Sequence, residues 1–410
     1  MKILFLPAYF FPEHGASSYL DQNLKEDFAH SGCQMLLYAP VPTRGITEEV
    51  YKEFKHKHVE WMYNNHLEVH RFSMFREGKN PILRAVRYLL CWIKQFNRGL
   101  FAKQIDCVFL VSTPPIQGIL GGMLKKLKKV PFVYNLQDIF PDSLVGTGLA
   151  KKDGLLWKIG RCIENFTYCN ADKIIVISQD FKRNIMAKGV PEEKIEVVYN
   201  WVDENAIIPV KDEENKLFEE FGISRDTFRV VYAGNLGNAQ NIEIIVNAAR
   251  RLKDNNQIEF IIFGKGGLED EIKATKAKEQ LDNLKILPLQ PYERVAKVYG
   301  LGSVCIVACK PGLGGAAMPS KTWSIMSSGR AVLANFDEGE LKEIVEKNSC
   351  GIFTKAGDLE GFVAAIKVLS QHPEQCAEMG KNGRQFILEN LTREVGTRKY
   401  VEVIKSVVKE

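Results

Sequence analysis

Short runs of β-branched and apolar residues alternate with longer helical stretches over almost the whole chain. No other feature limits the possible folds as much. Residues 3–8, 34–39, 67–74, 107–112, 132–136, 173–177 and 195–199 read as strands, and so do 229–233, 259–263, 284–287, 304–308, 331–334 and 351–354. Strands separated by helices pair in parallel, because a parallel partner is reached only by a crossover. Residues 43–66 are polar and aromatic and read as a long loop with some helix, while 392–409 reads as a terminal helix. A chain of 410 residues exceeds one ordinary core. The expected fold is therefore α/β, with two doubly wound, Rossmann-like domains over 1–200 and 201–385. A final segment, 386–410, is expected to pack back on the first domain. The carboxyl edges of both sheets would face a cleft, where open α/β sheets bind ligands.

The second domain contains the stretch most suggestive of chemistry. A buried-strand pattern over 304–308 leads into Gly312, Gly314 and Gly315, then Pro319, Ser320 and Lys321, a helix over 322–328, a stop at Gly329 and another strand. Glycines let a ligand approach the backbone, and a helix start offers unpaired N–H groups. Lys321 opposes the helix dipole there, which a bound diphosphate would offset. An ordinary loop with a solvated lysine is the alternative.

Charge is distributed unevenly. Residues 1–200 carry 27 Lys and Arg against 20 Asp and Glu, and the remainder 28 against 30. Residues 81–103 read as an amphipathic helix. Ile82, Leu83, Val86, Leu89, Leu90, Ile93, Phe96, Leu100 and Phe101 share one face, with Arg84, Arg87, Lys94 and Arg98 opposite. This is either a core-facing helix with a solvated basic face or, with Lys125, Lys126, Lys128 and Lys129 nearby, a surface that meets an anionic membrane. No nucleic-acid motif is present. The opening residues reach Pro12, Glu13 and His14 too early for a signal peptide, which implies a cytoplasmic protein peripheral to the inner membrane. The nine cysteines form no C-x-x-C pair and read as reduced thiols. No D-x-D pair suggests a metal clamp.

Four segments taken together resemble the family 4 retaining glycosyltransferases of GT-B architecture: Tyr9 to Ala16; Ala171 to Ser178 with Lys194 to Asp203; Tyr232 to Gly237 with Phe263 to Gly266; and Pro319 to Thr322 with Ser327 to Arg330. Asp138 to Ser143 and the Pro-Ser-Lys-Thr form are similar to the branch of O-antigen N-acetylfucosamine transferases. The resemblance implies a metal-independent enzyme without cofactor. It would move a sugar, an N-acetylated amino sugar in that branch, from a UDP-linked donor to a lipid-linked (undecaprenyl-diphosphate) or glycan acceptor in bacterial O-antigen or capsule synthesis. It also implies donor contacts from Gly15, Ala16, Gly234, Asn235, Gln240, Lys265, Leu289, Pro319, Ser320, Ser324 and Glu340, with Asp138 and Lys321 as catalytic residues. The family's usual glutamate pair is replaced by Ala316 and Ser324, its phosphate-binding Arg and Lys by Asn235 and Gln240, and a histidine by Gln137.

In this reading the leaving diphosphate is stabilised by Lys321 and by backbone N–H groups. Asp138 orients a sugar or caps a helix, and Glu340 has the same two readings. A sugar-nucleotide 2-epimerase and a catalytically inactive membrane scaffold share the layout and stand as competing functions.

Overall fold

The computed structural model describes residues 1–13, 18–78, 80–146, 148, 150–316 and 318–408. Gly15 and Ala16 of the expected donor loop, with His14 and Lys79, lie outside these residues. The chain divides into two units, 1–199 with 394–410, and 200–393.

The first unit is built on an eight-stranded sheet. Its strands are β1 (Lys2–Phe5), β2 (Gln34–Pro40), β3 (Val59–Met62), β4 (Leu67–Phe72), β5 (Cys107–Val111), β6 (Phe132–Leu136), β7 (Lys173–Val176) and β8 (Ile195–Val197), in the order β3-β4-β2-β1-β5-β6-β7-β8. All neighbours are parallel except β3 and β4. That exception corrects the loop expected over 43–66, which holds the helix Glu48–Lys55 and the antiparallel edge strand β3. Tyr63, Asn64 and Asn65 turn the chain into β4 with positive φ angles, a conformation that asparagine tolerates better than most residues.

Crossovers between parallel strands are right-handed, so helices that carry the chain in one direction along the sheet share a face. Pro81–Phe101, Gln117–Lys128 and Leu155–Asn170 all lead from left to right in the strand order and form one layer. The middle helix is the buried one, and glycine permits it. A Cβ at Gly118 would collide with Thr167, one at Gly121 with Phe132, and one at Gly122 with Phe166. On the opposite face, Ser18–His30 and the terminal helix Arg393–Val407 cover the sheet, with Phe28 and Tyr400 both against Phe109. Tyr400 Oη also donates to Asn135 Oδ1 at 3.2 Å. The expected final segment is therefore two pieces. Pro373–Asn390 runs through position 386 within the second unit, and the part grouped with the first unit starts at Glu394.

The amphipathic helix Pro81–Phe101 is turned the other way from expectation. Arg87 is fully buried and donates to Phe75 O at 3.2 Å and Thr43 Oγ1 at 3.1 Å. Lys94 reaches Ser73 O at 2.7 Å, Arg98 lies over the Phe72 ring, and Arg84 pairs with Glu77 at 3.0 Å. The inward stripe is Arg87, Cys91, Gln95 and Gly99, whereas Ile82, Leu83, Val86, Leu89, Leu90 and Ile93 are exposed. Packing decided this. Gly99 admits Leu124, whose side chain lies 2.9 Å from where a Cβ would be, and Gln95 satisfies Pro7 O at 2.7 Å and Tyr38 O at 3.2 Å.

The second unit has six parallel strands: β9 (Phe228–Asn235), β10 (Ile258–Lys265), β11 (Leu284–Pro288), β12 (Val304–Ala308), β13 (Ala331–Phe336) and β14 (Gly351–Lys355). Their order, β11-β10-β9-β12-β13-β14, reverses direction between β9 and β12. The core gathers Val230, Tyr232, Phe260, Ile262, Ile306 and Leu333 with Ile245, Phe362 and Ile366 from the flanking helices. All nine cysteines are free.

Candidate active site

The strand order of the second unit reverses between β9 and β12, and open α/β sheets bind ligands at the carboxyl ends beside such a switch point. Lys321 comes from the helix Lys321–Ser327, which stops at Gly329 with φ +67°. Lys321 Nζ donates to Tyr232 Oη at 2.9 Å and sits 4.0 Å from the centre of that ring. Tyr232 Oη in turn donates to Asn235 O at 2.8 Å. No carboxylate pairs with Lys321 among the described residues. Burial therefore lowers its ammonium to about 7, since a phenol and a π-face only partly replace water. Gly234 is the other wall. Its φ of +145° suits glycine, and a Cβ there would lie 3.0 Å from Lys321 Nζ.

The glycine loops differ from expectation in what they do. Gly264 lies opposite Gly234 in register, and its missing side chain makes room for Leu236. Leu236 N–H donates to Lys265 O at 3.0 Å, and Leu268 N–H to Leu236 O at 3.0 Å. These glycines thus lock β9 and β10 together, and Lys265 projects into solvent. Asn235 and Gln240, standing where the family has basic residues, approach each other across Gly237 at 3.4 Å. On the far loop Gly314 N–H donates to Asp337 Oδ2 at 2.8 Å, and a Cβ at Gly314 would strike Phe336 and Asp337.

Ser324 is one turn beyond Lys321 on the same helix face. Pro319 is half-buried and Ser320 exposed at the helix entry, and Leu289 is exposed after β11. Glu340 is buried at the first position of the helix Glu340–Lys347, where the dipole favours an acid. Sequence reasoning named neither Tyr232 nor Asp337 as a site residue, although Tyr232 opens one of the segments that carry the resemblance. The tyrosine looks like one more strand residue, and the aspartate follows its strand without a motif.

Asp138 belongs to the first unit, after β6. Its N–H donates to Ser112 Oγ at 3.2 Å, its Oδ2 accepts from Ser143 Oγ at 3.2 Å, and burial raises its carboxyl above the usual range. It lines a void of about 10 Å³, roughly one water in size. A cavity of about 350 Å³ lies instead at the carboxyl ends of β1 and β5 and includes Gln137 in its wall. Buried Lys25 borders it, ion-paired with Asp21 and over the Phe5 and Phe10 rings. Gln117 is also there. Its Nε2 donates to Leu6 O and Gln95 Oε1, both at 2.9 Å, while its own Oε1 has no partner. Glu13 accepts the N–H groups of Thr43 and Arg44 at 2.8 Å, and burial still raises its carboxyl.

Two family models match consecutive parts of the chain: "Glycosyltransferase Family 4" over residues 22–206 and "Glycosyl transferases group 1" over 213–386. The chain is a glycosyltransferase of the family 4, GT-B type. This glycosyltransferase is 25% identical over 350 residues to WbjE of Pseudomonas aeruginosa, named as a glycosyltransferase, covering 83% of this chain and 84% of that one. It is 27% identical over 280 residues to WcaI of Escherichia coli (strain K12), named as a glycosyl transferase of colanic acid biosynthesis, covering 66% and 68%. Among solved structures, Anabaena Alr3699/HepE in complex with UDP superposes with a TM-score of 0.73 at 17% identity, covering 99% of this glycosyltransferase and all of the other chain. Sucrose-phosphate synthase from Thermosynechococcus elongatus superposes with a TM-score of 0.77 at 16% identity, covering 99% and 98%. These likenesses establish the GT-B fold, and the family models leave the epimerase and scaffold readings without support.

Proposed function

We propose that this glycosyltransferase moves a sugar from a UDP-linked donor, with retention and without metal, to a lipid-linked acceptor in bacterial surface polysaccharide synthesis. The observation that carries the proposal is Lys321, a half-buried ammonium with a phenol for a partner and no counter-ion among the described residues, at the switch point of the second sheet. A diphosphate supplies the missing negative charge. As the bond from the anomeric carbon to the phosphate oxygen breaks, charge grows on that oxygen, and Lys321 stabilises it without reorganisation. The acceptor hydroxyl attacks on the same face and passes its proton to the departing phosphate.

Supporting the choice of donor, the Anabaena structure holds UDP; supporting the polysaccharide pathway, WcaI is named for colanic acid biosynthesis. An N-acetylated amino sugar as the transferred group rests only on the resemblance of Asp138 to Ser143 and of the Pro-Ser-Lys-Thr form to that branch. The acceptor sugar is assigned to the cavity beside Gln117 and Gln137, and its lipid would bring the enzyme to an anionic inner-membrane surface. Calorimetric titration with UDP and GDP, each with and without Mg²⁺, is the test. UDP-selective binding that ignores Mg²⁺ and weakens in Lys321→Ala is expected. Selectivity for GDP, or binding only with Mg²⁺, would refute the donor assignment.

A further inference from the structure

The outer side of the helix layer on the first sheet carries more exposed aliphatic surface than a solvated face has use for. On Pro81–Phe101, Ile82 is 72% exposed, Leu83 52% and Leu89 50%. On Leu155–Asn170, Leu155 is 77% exposed, with Leu156 and Ile159 close to half. Both helices follow a parallel strand, so both begin at the carboxyl edge of the sheet. Ile82, Leu83, Leu155 and Leu156 therefore sit in first turns at one edge of the unit, the edge that also holds the cavity beside Gln117. An apolar groove of about 390 Å³ continues from there between Ile119 and the helix residues Ile159, Ile163 and Phe166.

Charge identifies the occupant. Lys151, Lys152 and Lys158 are exposed around this edge, and among the described residues none of them makes an ion pair. Lys126 is likewise exposed, and its ammonium lies 5.1 Å from the Phe166 ring. A protein partner of ordinary composition has no need of an aliphatic face ringed by unpaired cations. An anionic bilayer has need of both, because acyl chains take the aliphatic groups and headgroup phosphates the lysines.

We propose that this face inserts into the headgroup–acyl boundary of an anionic bilayer, with Ile82, Leu83, Leu89, Leu155, Leu156 and Ile159 as the inserting side chains and Lys151, Lys152 and Lys158 on lipid phosphates. It deepens the lipid-linked-acceptor reading and takes its purpose from it. Insertion at the carboxyl edge brings a membrane-borne acceptor to the cavity. Membrane contact is thus made by the aliphatic stripe, and not by the side of Pro81–Phe101 that carries Arg87, which is turned inward.

The test is flotation of the full chain with phosphatidylglycerol-containing and pure phosphatidylcholine vesicles, with UDP affinity measured on the same preparations. The wild type is expected to float with the anionic vesicles. The pair Leu83→Gln/Leu89→Gln and the pair Leu156→Gln/Ile159→Gln should each lower binding about tenfold, with unchanged melting and UDP affinity. Lys151→Gln/Lys152→Gln/Lys158→Gln should remove the preference for anionic over neutral vesicles. Absence of flotation, or flotation that ignores both aliphatic pairs and vanishes in high salt, overturns insertion. A dimer that becomes monomeric in the aliphatic variants while vesicles stay bare assigns the face to a second copy and overturns it equally. Flotation without UDP binding would refute the transferase reading of the donor site and leave this surface standing.

Discussion

A lysine whose neighbours are a phenol and a glycine, with no carboxylate paired to it among the described residues, holds its proton weakly. Lys321 is lowered to about 7 by burial, so near neutrality the empty site is only part-charged. A bound diphosphate favours the charged form, so UDP binding above pH 7 should take up a proton. Affinity should fall as pH rises past about 7, by up to tenfold per unit. Calorimetry in buffers of different ionisation enthalpy reads that proton, and a pH-independent signal would contradict it. The same depression has a stability sign. Between about 7 and the ordinary lysine value the unfolded chain holds the extra proton, so folding stability from this group rises with pH there. Lys321→Ala should weaken UDP binding roughly 10- to 100-fold, the worth of a charged hydrogen bond. Gly234→Ala should do the same while the fold persists, because its Cβ would fall 3.0 Å from Lys321 Nζ. At this scale Lys321 was marked as a candidate by the strand–glycine–helix pattern and Gly234 by the family resemblance of its segment. Tyr232 was not, because nothing in a strand's sequence shows which side chain reaches over its end.

The helix Pro81–Phe101 shows how an element can be found correctly and oriented wrongly. Its period and length are plain in the sequence, and Asn80 caps it by accepting from Ile82 N–H at 2.9 Å and Leu83 N–H at 3.3 Å. Amphipathicity has two solutions when the apolar stripe has somewhere other than the core to go. Here the inward side is held by buried Arg87, whose donors satisfy Phe75 O and Thr43 Oγ1. Arg87→Ala should therefore destabilise the first unit by about 2–4 kcal/mol, whereas Leu89→Gln should change stability by less than about 0.5 kcal/mol. Chemical denaturation of the two variants side by side checks this. Equal losses would restore the core-facing orientation. The strand Val59–Met62 was unreadable for a related reason, since an edge strand with alternating exposed positions resembles a polar loop.

Across the whole molecule, each unit is a self-contained sheet with helices on both faces, and the last helix, Arg393–Val407, belongs to the unit that starts the chain. Tyr400 ties it to the sheet through Asn135 and Phe109. Truncation after Leu391 should strip that face and abolish cooperative melting of the first unit, while Tyr400→Phe should lower its stability by only about 1 kcal/mol. Thermal unfolding followed by near-ultraviolet circular dichroism distinguishes the two, and a truncated chain that still melts cooperatively would show the helix dispensable. Every segment that reads as a strand in the sequence carries one, because alternation of short apolar runs with helices is a local property and parallel pairing follows from it. The sequence by itself determined the class of fold, agreed with the division into units near position 200, and marked Lys321 as a candidate anion-binding residue. Only the tertiary structure decided which face of the long helix is buried, that the glycines at 264 and 314 serve packing, and that Asp138 lines a water-sized void. Each of those depends on what another part of the chain brings within a few ångströms, and sequence periodicity carries no record of that partner.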